Sequence, residues 1–251
     1  MRCVLVSTNT FEIMKTVLIE AVGVCLSKLS PRLFVALGLA LYPTVNSAQT
    51  ISCGQQVTGQ ITNVSQRDAY FLTVNANDRL RVRFQPTATN SGNFQPQVLL
   101  YDSGGNLVTS ATGGSVDATL SSGGQAVLFV AAQSQQGTGR YEFSWQRLSS
   151  PCNAAVLACG QVAPGTVDYV TAMKAHTLAA NAGDRLRVRW RNVATRSGNF
   201  NPFVELFDSA GDSIGSSTNG VLEATVPVAG PVSLLASSDE TMGRFRLRKS
   251  A

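Results

Sequence analysis

The chain holds a single histidine, His176, and five scattered cysteines, Cys3, Cys25, Cys53, Cys152 and Cys159. That scarcity excludes a zinc centre, which needs several imidazole or thiolate ligands at short fixed spacings. It also leaves any general acid–base mechanism one imidazole to work with. Charged residues are sparse, 14% of the chain, with a net excess of five positive charges. So small an excess falls short of the basic footprint of nucleic-acid-binding domains, and no nucleic-acid partner is expected. Long apolar stretches are missing as well: the run Leu33 to Tyr42, "LFVALGLALY", is half of the roughly 20 residues that a spanning helix requires. Past residue 50 no segment shows a helical period.

The short apolar run has a setting of its own. Lys28 and Arg32 precede it, and Pro43 and the small residues Asn46, Ser47 and Ala48 follow, the three-part layout of a secretory signal. Residues 1–48 are therefore predicted to be a leader, starting at Met1 or Met14 and cut near Ser47 or Ala48, with the rest secreted. The leader would take four of the twenty basic and two of the fifteen acidic residues with it, leaving a net charge of +3. Of the cysteines, Cys53, Cys152 and Cys159 would remain. An odd number allows one intramolecular bridge, either Cys53–Cys152 or Cys152–Cys159 across "CNAAVLAC".

What is abundant is repetition. "RLRVRFQPTATNSGNFQP", from Arg79, returns as "RLRVRWRNVATRSGNFNP" from Arg185, and Cys53-Gly54, Asp78, Phe94 and Asp102 all recur 106 residues on. A period of this size is that of a domain able to bury its own core, beyond the short units of solenoids. Two tandem modules are expected, 49–150 and 151–251. Within them Leu80, Val82 and Phe84 alternate with Arg79, Arg81 and Arg83, and Leu186, Val188 and Trp190 with Arg185, Arg187 and Arg189, the period-two pattern of half-buried strands. Further short strands ("QVLLYD", "QAVLFVAA", "RYEFSW") are punctuated by turn clusters about every ten residues, which points to an all-β sandwich or barrel. Hairpins are predicted at "YDSGGN" and "FDSAGD", with Gly105 and Gly211 at positive φ. "NAND" and "NAGD" read as turns between antiparallel neighbours. Phe71, Phe84, Tyr101, Phe129, Tyr141, Phe143 and Trp145 are expected in the core of module one.

Taken together, "RDAYFLTVNANDRLRVRF…PQVLLYDSGGNLV…TGRYEFSW" resembles the bacterial pre-peptidase C-terminal (PPC) domain over residues 53–148 and again over 159–248. In the second copy His176 stands for Tyr70, and "MGRF" replaces "TGRY". The resemblance implies two tandem jelly-roll-like antiparallel β-sandwiches of a secreted protein, a type appended to proteases and other hydrolases and related to collagen-binding modules. No catalytic domain is expected within these 251 residues.

For catalysis, "GDSIG" at Gly211–Gly215 satisfies the Gly-x-Ser-x-Gly expression, yet it lacks the strand-to-helix context of a nucleophile elbow, and module one has Leu107 where Ser213 stands. The chain is read as a non-enzyme, with a Ser213–His176 hydrolase as the rival. No cofactor is expected; Asp208 with Asp212, or Asp68 with Asp78, offer oxygen ligands for calcium, against turn-capping roles. The arginine rows admit two readings. They present a basic stripe to an acidic polymer, or they pair with Glu142, Glu205, Asp117 and Glu223 while their stems cover apolar surface. Phe94 and Phe200, after Ser-Gly-Asn, are either ligand-contacting aromatics or loop plugs. The candidate site is Arg81, Arg83, Phe94, Arg187, Arg189 and Phe200. The expected function is binding of an extracellular polysaccharide or matrix protein, the alternative an accessory module for an extracellular hydrolase.

Overall fold

The structure is a computed structural model and describes residues 45–238 and 241–250. The leader reading falls on residues 1–48, so most of it lies outside the described residues. The first strand, β1, runs Val45–Ile51. After it come β2 (Val57–Ile61), β3 (Arg67–Val74), β4 (Arg79–Gly92), β5 (Pro96–Tyr101), β6 (Leu107–Thr112), β7 (Gly114–Thr119), β8 (Gly124–Ala132) and β9 (Gly137–Arg147). The second series is β10 (Ala155–Val156), β11 (Val162–Val167), β12 (Lys174–Ala180), β13 (Arg185–Ser197), β14 (Phe203–Phe207), β15 (Ser213–Ser217), β16 (Val221–Thr225), β17 (Gly230–Ser237) and β18 (Met242–Ser250).

The fold is all-β. Strands β2-β9-β4-β7 form one sheet and β3-β8-β5-β6 the other, with β1 added parallel to β3. This interleaving of eight strands is the jelly-roll order, in which two antiparallel sheets face each other across one core. The second series repeats it: β11-β18-β13-β16 opposes β12-β17-β14-β15, with β10 parallel to β12. Among the described residues no sheet mixes strands of the two series, so the period in the sequence is a period of sandwiches.

The Asp-Gly hairpins form as the residues demand. Asp102 Oδ1 accepts from the backbone N–H of Gly104 and of Asn106, and Asp208 Oδ1 from those of Ala210 and Asp212; Gly105 and Gly211 sit at φ 82° and 83°. The "NAND" and "NAGD" turns differ from the expectation. They join β3 to β4 and β12 to β13, strands of opposite sheets. Their Asp side chains close the corner, Asp78 accepting from Asn75 N–H and Asp184 from Asn181 N–H.

The aromatic set also divides. Phe84, Tyr141, Phe143 and Trp145 fill the core of the first sandwich, joined by Tyr70. Phe71, Tyr101 and Phe129 instead gather on the outer face of the β3-β8-β5 sheet with Ala69 and Val127. On β3 the inward residues are Tyr70, Leu72 and Val74, and since neighbours on a strand point to opposite faces, Phe71 is outward. Among the described residues one bridge forms, Cys53–Cys152, with Cα atoms 5.8 Å apart, and Cys159 is free and exposed.

Candidate functional site

The two arginine faces meet different fates. On β4 the row Arg79, Arg81 and Arg83 faces the second sandwich. Arg81 pairs with Asp117 on the adjacent β7, Nε to Oδ1 at 2.7 Å, and also with Glu205 on β14. Its guanidinium lies over the Phe207 ring, 5.3 Å from the centroid. Arg79 pairs with Asp212, and the Arg83 Nη2 donates to the Ser238 carbonyl at 2.9 Å. Burial alone would lower the affinity of Arg81 for its proton, but the two carboxylates outweigh that and hold the guanidinium charged. Strand β9 completes the contact. Ser144 Oγ donates to the Thr171 carbonyl, and Glu142 accepts from Thr171 N–H. Beside them Leu148, Ala175, Phe207 and Leu235 make a small apolar cluster between the modules. Arg81 and Arg83 are thus interface residues, half-buried and buried.

On β13 the equivalent row stays open. Arg187, Arg189 and Arg191 are all exposed, as are Arg244, Arg246 and Arg248 on the neighbouring β18. The register sets Arg189 directly opposite Arg248 and Arg191 opposite Arg246. Arg187 keeps the intramodular partner its counterpart has, Nε 2.9 Å from Glu223 Oε1 on β16. Among the described residues no side-chain hydrogen bond or ion pair engages Arg189, Arg191, Arg244, Arg246 or Arg248. A depression of about 330 Å³ lies among Val162, Arg189, Arg191, Arg246 and Arg248. The three β18 arginines were missed in the sequence, although "GRFRLR" alternates as plainly as "RLRVRW".

Phe94 and Phe200 do not join these rows. They are 1% and 3% exposed, and each ring lies against a glycine of the last strand. A Cβ on Gly139 would fall 2.3 Å from Phe94 Cδ1, and one on Gly243 2.4 Å from Phe200 Cδ1. Both rings are plugs under the long β4 and β13 strands.

Ser213 and His176 are kept apart. Ser213 is exposed on β15, while His176 is buried on β12, with β14 and β17 in between; three strand spacings amount to roughly 14 Å. Neither ring nitrogen of His176 makes a well-formed hydrogen bond. Burial and the Lys174 charge push its pKa down to about 4. The equivalent position in the first sandwich has a full network: Tyr70 and Tyr141 hydroxyls 2.6 Å apart, Tyr141 donating to Asp68, and Gln66 donating to Asp68. Of the calcium candidates, Asp68 is held by these donors, and Asp78 by Asn75 N–H and Arg147. Among the described residues no three His, Cys, Asp or Glu side chains gather in a metal-binding group, and no helix is long and apolar enough to cross a membrane.

No protein-family profile and no curated protein matches the chain. Among solved structures it is similar to the pre-peptidase C-terminal domain of a collagenase from Bacillus anthracis, at 17% identity and a TM-score of 0.34, over 42% of this chain and 100% of that domain. It is similar also to PliG of Aeromonas hydrophila, a periplasmic inhibitor of g-type lysozyme, at 14% identity and a TM-score of 0.31, over 40% of this chain and 96% of that one. A third likeness is to the tandem CBM22 domains of Paenibacillus barcinonensis Xyn10C, at 12% identity and a TM-score of 0.24, over 72% of this chain and 82% of that one.

Proposed function

We propose that the protein is a secreted, non-catalytic binding module that holds an extracellular polysaccharide or matrix protein on the exposed face of its second sandwich, with Arg187 and Arg189 as contact residues. The observation carrying this reading is the contrast between the two copies of one face. The first copy is closed by the protein's own second module, through Glu205, Asp212 and the Ser238 carbonyl. The second is of the same strand pattern and stands open, with Arg189 exposed and without a side-chain partner among the described residues. Exposed guanidiniums are strong hydrogen-bond donors in a planar fork, suited to carboxylate, sulfate and carbonyl oxygens. A non-catalytic role accords with the distance between Ser213 and the buried His176.

An array of polysaccharides and matrix proteins probed with residues 49–251 tests this. Binding by the native protein that is lost in Arg187→Ser/Arg189→Ser supports the assignment. Retention of every bound ligand by that variant removes the face from the function.

A further inference from the structure

We infer that the open face is a binding site for a polyanionic polysaccharide, one bearing carboxylate or sulfate groups in regular succession along its chain. This rests on the proposed binding role and names its ligand. It adds Arg191, Arg244, Arg246 and Arg248 to the site.

The two sandwiches supply the comparison. Opposite Arg83 on the first stands Ser144, and opposite Gln85 stands Glu142; on the second, the matching pairs are Arg189 with Arg248 and Arg191 with Arg246. Like charges directly opposite on adjacent strands are destabilising, so folding alone gives no reason for the exchange. The carboxylates of this sheet are already engaged, Glu223 by Arg187 and Asp168, at the end of β11, by Arg196 farther along β13. What closes the first face shows the chemistry that such a row accepts: carboxylates set against guanidiniums, with backbone carbonyls beside them.

Spacing selects among anionic partners. Along each strand the arginines recur every second residue, about 7 Å apart, and the two rows lie about 5 Å apart. This is a ladder of cations with a fixed repeat, which a polymer with a fixed repeat of anions matches and a single small anion does not. Phe245 and Trp190, the aromatic residues of these strands, are buried, so the face offers no ring on which a base could stack, as single-stranded nucleic acid requires. A folded protein is a poorer match, because protein interfaces deplete charge at their centre. A second copy of this chain fits least. The face by which the second sandwich docks carries Glu205 and Asp212, and at those positions the first sandwich has Leu99 and Asn106.

The test measures binding of the purified chain to dextran sulfate, polygalacturonate, neutral dextran, poly-glutamate and a single-stranded oligodeoxynucleotide, with Arg191→Ser/Arg246→Ser/Arg248→Ser as the variant. Dextran sulfate and polygalacturonate should bind, and neutral dextran should not. Affinity should fall by about tenfold or more between about 50 and 200 mM salt, as release of counterions dictates. The variant should lose about tenfold or more of the affinity for both polyanions, with a melting temperature unchanged or raised by relief of like-charge repulsion. Equal binding of neutral dextran, indifference to salt, or a variant that binds both polyanions as the native chain does, would overturn the inference and leave the broader binding role standing. Tighter binding of poly-glutamate or of the oligonucleotide would overturn it in favour of an acidic protein or a nucleic acid. If no probe binds and the array is also blank, both readings fall.

Discussion

Arg81 on β4 and Glu205 on β14, 124 residues apart in sequence, form an ion pair that joins the two sandwiches. The pair is largely withdrawn from water, with side chains 16% and 9% exposed. It therefore costs more to break than a surface pair, because removal of one partner leaves a desolvated charge behind. Glu205→Ala is expected to lower stability by about 2 kcal/mol, Asp117 remaining as a partial partner. The double change Arg81→Met/Glu205→Leu should recover most of the loss, since an apolar pair of similar size fits the neighbouring Phe207 and Leu235. Urea unfolding of the three proteins decides; a Glu205→Ala protein as stable as the native one would show the pair to be without weight.

The aromatic plugs are sensitive to their glycines. Gly139→Ala or Gly243→Ala places a methyl inside the van der Waals radius of Phe94 or Phe200, and neither ring can yield without leaving a packed core. Each substitution should cost about 2 kcal/mol or more by overpacking, read as a lower urea midpoint. An unchanged midpoint would mean that the rings are loosely held.

Acid sensitivity should reside in the second sandwich. The folded-state pKa of His176, at about 4, lies below its unfolded value near 6.5, so the folded protein binds fewer protons between the two. The stabilising contribution is full above pH 6.5 and is lost as pH falls toward 4, to a total of about 3 kcal/mol. His176→Phe should flatten the pH dependence of stability in that window by a comparable amount. Parallel curves for the two proteins would contradict the assignment.

The first sandwich should fold alone. Its core draws on residues between Ile51 and Trp145 only, and Cys53–Cys152 closes that stretch into one loop. A fragment spanning 45–154 is expected to unfold cooperatively, and reduction of the disulfide to lower its stability by about 4 kcal/mol, the loop-closure effect for about a hundred residues. A fragment without cooperative unfolding would make the pair of sandwiches the smallest folding unit.

Calcium should leave the melting temperature unchanged. Asp102 and Asp208 already accept backbone amides at the hairpin turns, so a cation would have to displace turn hydrogen bonds to bind. A rise in melting temperature on adding calcium would assign those turns a metal.

Much of this architecture could be read locally. The alternation in "RLRVRF" and "RLRVRW" placed Leu80, Val82 and Phe84, and Leu186, Val188 and Trp190, on the inward side, where they are all buried, because a strand's side-chain period is a property of the backbone itself. Turns at Asp102 and Asp208 were legible for the same reason: side chain and amide lie within a few residues. The expectation for "NAND" went astray because a turn's residues say that the chain reverses or bends, while the sheet it enters next depends on partners far along the chain. Phe71, Tyr101 and Phe129 escaped the core for a related reason. Each is apolar and on a strand, yet strand β3 has apolar residues on both faces, and composition alone does not tell which face the other sheet covers.

The sequence by itself determined that there are two like units of pleated chain, where their strands and hairpins fall, and which side chains share a face. Only the tertiary structure decided that one arginine row is closed by Glu205, Asp212 and Ser238 while its copy on β13 and β18 lies open. The physical reason is range. Alternation and turn chemistry act between neighbours in the chain, whereas the covering of a face depends on the docking of residues more than a hundred positions away, and no local pattern carries that distance.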